Sequence, residues 1–230
     1  MPDWNREDDP KRRVIGHPAP GAAPGPAGTP RIAEMVPCFT PGTKIATPRG
    51  EVAVEALRAG DRVVTRDNGL QTVRWTGARS LTPAELAAAP RLRPVIVRAG
   101  ALGPGWPARD MCVSPTHRLL LASERAALYF GDREVLAAAR DLTGMDGIAR
   151  ARPGAVTYVH VLCERHEILL SDEAWTESFQ PEEAVLDAMG AMLREEIFAL
   201  FPELRDGSGL ATFRAARRAL RRHEARLVLE

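Results

Sequence analysis

Between residues 38 and 180 the chain is a succession of short extended runs, each ended within a few residues by glycine or proline. Residues 44–47 and 51–54 flank Pro48-Arg49-Gly50, a turn signal. Residues 62–65 and 71–75 flank Asp67-Asn68-Gly69, where Asn and Gly tolerate the positive φ of a tight hairpin. Residues 95–97, 118–121, 157–162 and 167–170 read as further strands. Many short strands between Gly/Pro turns predict a mainly β domain, because a half-buried strand must share its apolar face with a second sheet. Thr82-Pro83-Ala84-Glu85 is a local exception. It is a capping box with proline at the first helical position, and it predicts a short helix over 83–89.

The flanks differ from this centre and divide the chain into three parts. Residues 1–36 form a Pro/Gly-rich leader whose run from Gly16 to Gly28 has little to bury, so a flexible tether is expected. Residues 37–180 are the β domain, and residues 181–230 read as a C-terminal helical extension. Val185, Leu186, Met189, Met192, Leu193, Ile197 and Leu200 make the apolar stripe of an amphipathic helix over 181–200. After breaks at Pro202 and at Asp206-Gly207-Ser208-Gly209, a second helix is expected over 210–229. It would carry Leu210, Phe213, Ala216, Leu220 and Leu227 on one side, with Arg214, Arg217, Arg218, Arg221, Arg222 and Arg226 between them.

Composition narrows the function. At 45% hydrophobic and 27% charged residues the chain is globular, and a net charge of +1 gives no general pull towards nucleic acid or acidic lipid. Neither nucleic acid nor membrane is therefore expected as a partner, and the arginines read as a solvated helix face. The three cysteines, Cys38, Cys112 and Cys163, lack C-x-x-C spacing, which argues against a disulfide framework and a zinc site. No cofactor is expected. The acidic N-terminus has no apolar signal core, and no run approaches the ~18 apolar residues of a membrane span. The default expectation is a cytoplasmic protein, with leaderless secretion left open.

One cysteine and two histidine-bearing runs carry the chemistry. Cys38 opens a strand-like segment directly after the leader, and Pro37 supplies the carbonyl before it. Downstream lie Ser114-Pro115-Thr116-His117 and the run from Tyr158 to Glu167, which holds His160 and His166. A thiolate can attack the carbonyl preceding its own residue and turn that amide into a thioester. The step needs a hydrogen-bond donor for the oxyanion, a proton for the departing nitrogen and an activated thiol. Cys38, Ser114, His117 and His166 are the candidate catalytic residues, with Pro37–Cys38 as the scissile bond. Thr116 and His160 are supporting candidates; Thr116 reads first as a loop cap and His160 first as a packed strand residue. Cys112 and Cys163 read as inert core thiols.

These runs resemble the Hint family, the Hedgehog/intein self-processing module. The first block is Cys38-Phe39-Thr40-Pro41-Gly42-Thr43, followed by Thr47-Pro48-Arg49-Gly50. Ser114-Pro115-Thr116-His117 matches the family's T-x-x-H block with serine in the leading hydroxyl position, and residues 158–170 resemble the terminal block with His166 in the histidine region. The resemblance implies a horseshoe-like, pseudo-two-fold β fold over residues 37–180 with an α-helical appendage. It also implies a single-turnover, cysteine autoprotease-like activity in cis, and it assigns amide protonation to His117. The nearest likeness is to bacterial Hint-type proteins that are neither inteins nor Hedgehogs.

The departures set the expected outcome. Intein splicing ends on a His-Asn pair, but the only asparagines here are Asn5 and Asn68. Hedgehog processing uses an aspartate after the hairpin, and residues 71–77 contain none, so sterol is not an expected partner. What remains is thioester formation with the leader as acyl donor, resolved by water or an external nucleophile. The alternative is a non-catalytic structural or interaction module on the same fold.

Overall fold

The structure, a computed structural model, describes residues 36–229. Apart from Val36, the leader expected over residues 1–36 lies outside the described residues. In chain order the elements are β1 (Lys44–Thr47), β2 (Gly50–Ala53), β3 (Arg62–Val64), β4 (Leu70–Thr72), β5 (Trp75–Leu81) and α1 (Pro83–Ala88). Then come β6 (Val95–Val97), β7 (Met111–Val113), β8 (Arg118–Ala122), α2 (Glu124–Phe130), β9 (Glu134–Ala138), β10 (Ile148–Arg150) and β11 (Val156–Leu162). The chain closes with β12 (Ile168–Ser171), β13 (Ala174–Glu177), α3 (Glu183–Ala188), α4 (Ala191–Leu200), β14 (Arg218–Ala219) and α5 (Arg222–Leu229). The domain is mainly β, with helices gathered towards the C-terminus, as the turn-punctuated sequence predicts.

A seven-stranded sheet runs β14-β9-β8-β13-β12-β1-β2, beside smaller groups β10-β6-β7, β11-β5 and β3-β4. The β1–β2 hairpin turns at Gly50, whose φ of 103° is open to glycine and costly for other residues. The capping box forms at α1: Thr82 accepts from the Glu85 N–H while the Glu85 carboxylate accepts from the Thr82 N–H.

Two apolar cores fill the fold. The first includes Phe39, Ile45, Val63, Val113, Leu119, Val135, Val159, Val161 and Leu169. The second joins Val36, Cys38, Trp75, Leu81, Leu86, Tyr158, Leu162 and Phe179 to Val185, Leu186, Met189, Ile197 and Phe213. Strand β11 serves both, because successive side chains point to opposite faces: Val159 and Val161 enter the first core, Tyr158 and Leu162 the second.

The C-terminal extension departs from the two helices expected. The first breaks between α3 and α4 at Met189–Gly190, where the extended backbone of Gly190 starts a new helix. The second is confined to α5. Residues 208–213 form a 3₁₀ turn, and Arg218–Ala219 adds β14 in parallel to the edge of β9. Tertiary pairing overrides helix propensity here: the open edge of β9 offers backbone partners, and Arg217 is clamped between Asp67 and Glu134 at 2.6 and 2.9 Å. Leu220, Ala225 and Val228 complete the first core.

Candidate functional site

Residue 39 organises the site. Phe39 forms antiparallel bridges to Val113 of β7 and Val159 of β11, exchanging both backbone hydrogen bonds with Val159 at 2.9 Å. An antiparallel register that pairs 39 with 113 and 159 sets residue 38 opposite 114 and 160. Phe39 points into the first core, so Cys38 points the other way, into the second. Three segments far apart in sequence thereby meet at one thiol.

The contacts are short and buried. The Cys38 N–H donates to Ser114 Oγ at 3.0 Å, and the Ser114 N–H donates to the Cys38 carbonyl at 2.9 Å. His160 Nδ1 lies 3.4 Å from Cys38 Sγ and 3.3 Å from the Pro37 carbonyl oxygen. Three further donors converge one peptide upstream, on the Val36 carbonyl: Ser114 Oγ at 3.0 Å, Thr116 Oγ1 at 3.1 Å and the Cys38 thiol at 3.1 Å. The hydroxyls of the 114–117 loop thus clamp the residue before Pro37, while the Pro37 carbonyl itself faces an imidazole.

Burial sets the resting protonation. It pushes the Cys38 thiol far above its ordinary value, so the sulfur rests as a thiol. The same desolvation lowers His160 to about 4, and its ring rests neutral. Trp75 stacks on His160 at 6.0 Å and Phe179 meets it edge-on at 5.6 Å. The Trp75 ring lies across Gly77, where an added Cβ would stand 2.3 Å from it; Gly77 pairs with His160 in the β5–β11 ladder. The absence of a side chain at 77 therefore permits the wall that orients His160.

The structure brings Pro37, Cys38, Ser114, Thr116 and His160 together, and it gives the other two histidines different surroundings. His117 is buried against Phe39, ring centroids 4.5 Å apart, and neither ring nitrogen hydrogen-bonds to a described residue. Burial lowers it to about 4. The Cys38 N–H, expected to face His117, is held by Ser114. His166 is engaged at both nitrogens: Nε2 donates to Glu177 at 3.1 Å, and Nδ1 accepts from the Ala216 N–H at 3.0 Å. Its tautomer follows from that second bond. Glu177 is fully buried and also holds Arg118, so His166 belongs to a hydrogen-bonded charge network at the ends of β8 and β13. His160 and Thr116, which the sequence offers only as supporting candidates, both reach the site, and His160 is the one that meets the thiol. Its only local signal is a histidine amid an apolar strand on the face that carries Tyr158. Cys112 and Cys163 are buried and pushed up to about 12.

Among the described residues, no group of three or more His, Cys, Asp or Glu side chains could hold a metal ion. No helix among them is long and apolar enough to cross a membrane.

The Hint domain profile matches residues 37–183, and the chain belongs to the Hint domain family, a family of self-processing domains. Similar solved structures include the gp41-1 intein, at 12% identity and TM-score 0.36 over 61% of this chain and 97% of that one. The bacterial intein-like domain from Clostridium thermocellum shares 16% identity, TM-score 0.39, over 60% and 96%. The zinc-bound Msm DnaB1 intein splicing domain shares 14%, TM-score 0.40, over 60% and 98%. No curated protein matches the sequence.

Proposed function

We propose that this domain converts its own Pro37–Cys38 peptide bond into a thioester. The observation that carries the reading is His160 Nδ1, within 3.4 Å of the attacking sulfur and 3.3 Å of the acyl oxygen. With Nδ1 bare, the neutral ring accepts the thiol proton as Sγ bonds to the Pro37 carbonyl carbon. The carbonyl electrons move to oxygen, and the new Nδ1–H faces that oxyanion. Collapse breaks the bond from carbon to the Cys38 nitrogen. That nitrogen needs a proton, and it sits 3.0 Å from the Ser114 hydroxyl. The imidazolium of His160 returns to that nitrogen the proton it took from the thiol, and the ring ends neutral as it began. The balance is simple: the thiol proton is lost and an amine proton is gained.

The acyl donor is the chain before Cys38. Water or an external nucleophile then attacks the thioester, since no asparagine follows the last strand to cyclise. The clamp on the Val36 carbonyl supports this reading by holding the acyl segment still while the next peptide reacts.

The test is intact mass after incubation with dithiothreitol or hydroxylamine. A fragment ending at Pro37 is expected from wild type and none from Cys38→Ala. If both proteins stay full length, the domain is a non-catalytic structural module.

A further inference from the structure

A cavity of about 750 Å³ adjoins the scissile bond, and Pro37 and Thr116 form part of its wall. Thr116 is one of the donors to the Val36 carbonyl, so the cavity opens beside the acyl segment. Five arginines line it, Arg118, Arg140, Arg150, Arg221 and Arg222, against two carboxylates, Asp141 and Glu182. Both carboxylates are already committed: Glu182 to Arg118 at 3.4 Å and Asp141 to Arg140 at 3.9 Å. Arg150 spends one amine on the carbonyls of Arg91 and Arg93. Among the described residues Arg150, Arg221 and Arg222 pair with no carboxylate. Uncompensated guanidinium groups around one concavity repel one another, and an anion relieves that repulsion.

We propose that this cavity receives the acyl acceptor, a small nucleophile carrying an anionic group such as a carboxylate, phosphate or sulfonate. The inference rests on the thioester reading and names the class of molecule that resolves it. The anion seats on Arg221, Arg222 and Arg150, and the nucleophilic end faces Pro37. For a thiol acceptor the step is transthioesterification. The acceptor sulfur, as thiolate, bonds to the Pro37 carbonyl carbon, the bond from that carbon to Cys38 Sγ breaks, and Cys38 leaves as a thiolate that takes up a proton. No oxidant or reductant is needed.

Three matched thiols test this on the full chain: 2-mercaptoethanesulfonate, 2-mercaptoethanol and cysteamine, which are anionic, neutral and cationic. Release of the fragment ending at Pro37 is compared at equal thiolate concentration. The sulfonate is expected to act about tenfold faster than mercaptoethanol, with cysteamine slowest, and 0.5 M salt should shrink the ratio. In Arg221→Gln/Arg222→Gln the ratio of sulfonate to neutral thiol should fall towards one. Equal rates per thiolate, or a ratio untouched by salt and by the double substitution, overturn the proposal. A calorimetric titration of Cys38→Ala with ethanesulfonate reads the cavity without any chemistry. Binding that weakens with the double substitution supports the anion site even if hydroxylamine releases nothing, in which case the thioester reading alone has failed. No binding overturns the anion site.

Discussion

At the scale of single residues, the contacts of two buried histidines differ in kind. His160 touches the Cys38 thiol and the Pro37 carbonyl oxygen, whereas His166 touches a buried carboxylate and the backbone of residue 216. His160→Gln is therefore expected to slow dithiothreitol-dependent release by about a hundredfold, the worth of a positioned acid–base group, while the fold persists. His166→Gln should do the reverse. It weakens the hold on a buried Glu177 carboxylate and on the Ala216 N–H, so the melting temperature should drop while release by the folded protein stays within a few-fold of wild type. Quenched time courses beside thermal melts would decide; a stable His166→Gln variant that cannot cleave would reverse the two assignments. Serine at position 114 makes its contacts through the hydroxyl that threonine would also carry. Its Oγ both accepts from the Cys38 N–H and donates to the Val36 carbonyl, and neither bond uses a methyl group.

Among the elements, α3 and α4 act as a cover over the thiol. Val185, Leu186, Met189 and Ile197 share a core with Val36, Cys38 and Tyr158, and the Trp75 Nε1–H reaches across to Glu196 at 2.9 Å. Met189, Gly190 and Leu193 leave only about 20 Å³ beside Cys38. Leu186→Ala should cost about 2–5 kcal/mol through the cavity it leaves, and the loss should fall first on the cover. Site-resolved alkylation with iodoacetamide measures this: Cys38 should react faster than Cys112 and Cys163. If all three accelerate together, the variant has loosened the whole fold and the cover has no separate mobility. The same elements show the limits of periodicity. The capping box and the hairpin turns are local hydrogen-bond chemistry, and they appear where the sequence puts them. Residues 214–219 carry helix-compatible Ala and Arg, yet β14 forms there, because the free edge of β9 and the Asp67–Arg217–Glu134 contacts are long-range.

For the whole molecule, two neutral buried imidazoles couple stability to pH. His117 and His160 stay near 4 in the fold, whereas an unfolded histidine titrates near 6.5. Between those values the unfolded chain binds more protons, so folding free energy is lost as pH falls from about 6.5 towards 4, on the order of a few kcal/mol for the pair. Glu177, held low despite burial by His166 and Arg118, adds a loss of the same sign below its ordinary value. Asp172, raised by burial to about 6, opposes them, since its native state binds the proton first. The two histidines outweigh it. Urea midpoints should be lower at pH 5 than at pH 7. His117→Phe, which fills the same place beside Phe39 without titrating, should flatten the slope. A midpoint that rises on acidification would contradict the balance.

The sequence by itself determined β1–β4, β6, β8, β11 and β12 with their turns, the capped helix, and the thiol, hydroxyl and imidazole types at positions 38, 114 and 117, while β5, β7, β9, β10, β13 and β14 were not legible in it. It also carried the family resemblance that residues 37–183 bear out. These are properties of neighbouring residues, in which side-chain alternation, turn chemistry and motif spacing act over a few positions. Which imidazole meets the thiol was decided by tertiary structure alone. Cys38 lies 122 positions from His160 and 76 from Ser114, and their meeting depends on the register of Phe39 between β7 and β11. A slip of one residue would turn Cys38 to the opposite face and away from both. The tertiary structure likewise decided that residues 218–219 close a sheet instead of continuing a helix. A backbone edge left open by β9 is satisfied only by a segment more than 80 residues away in the chain.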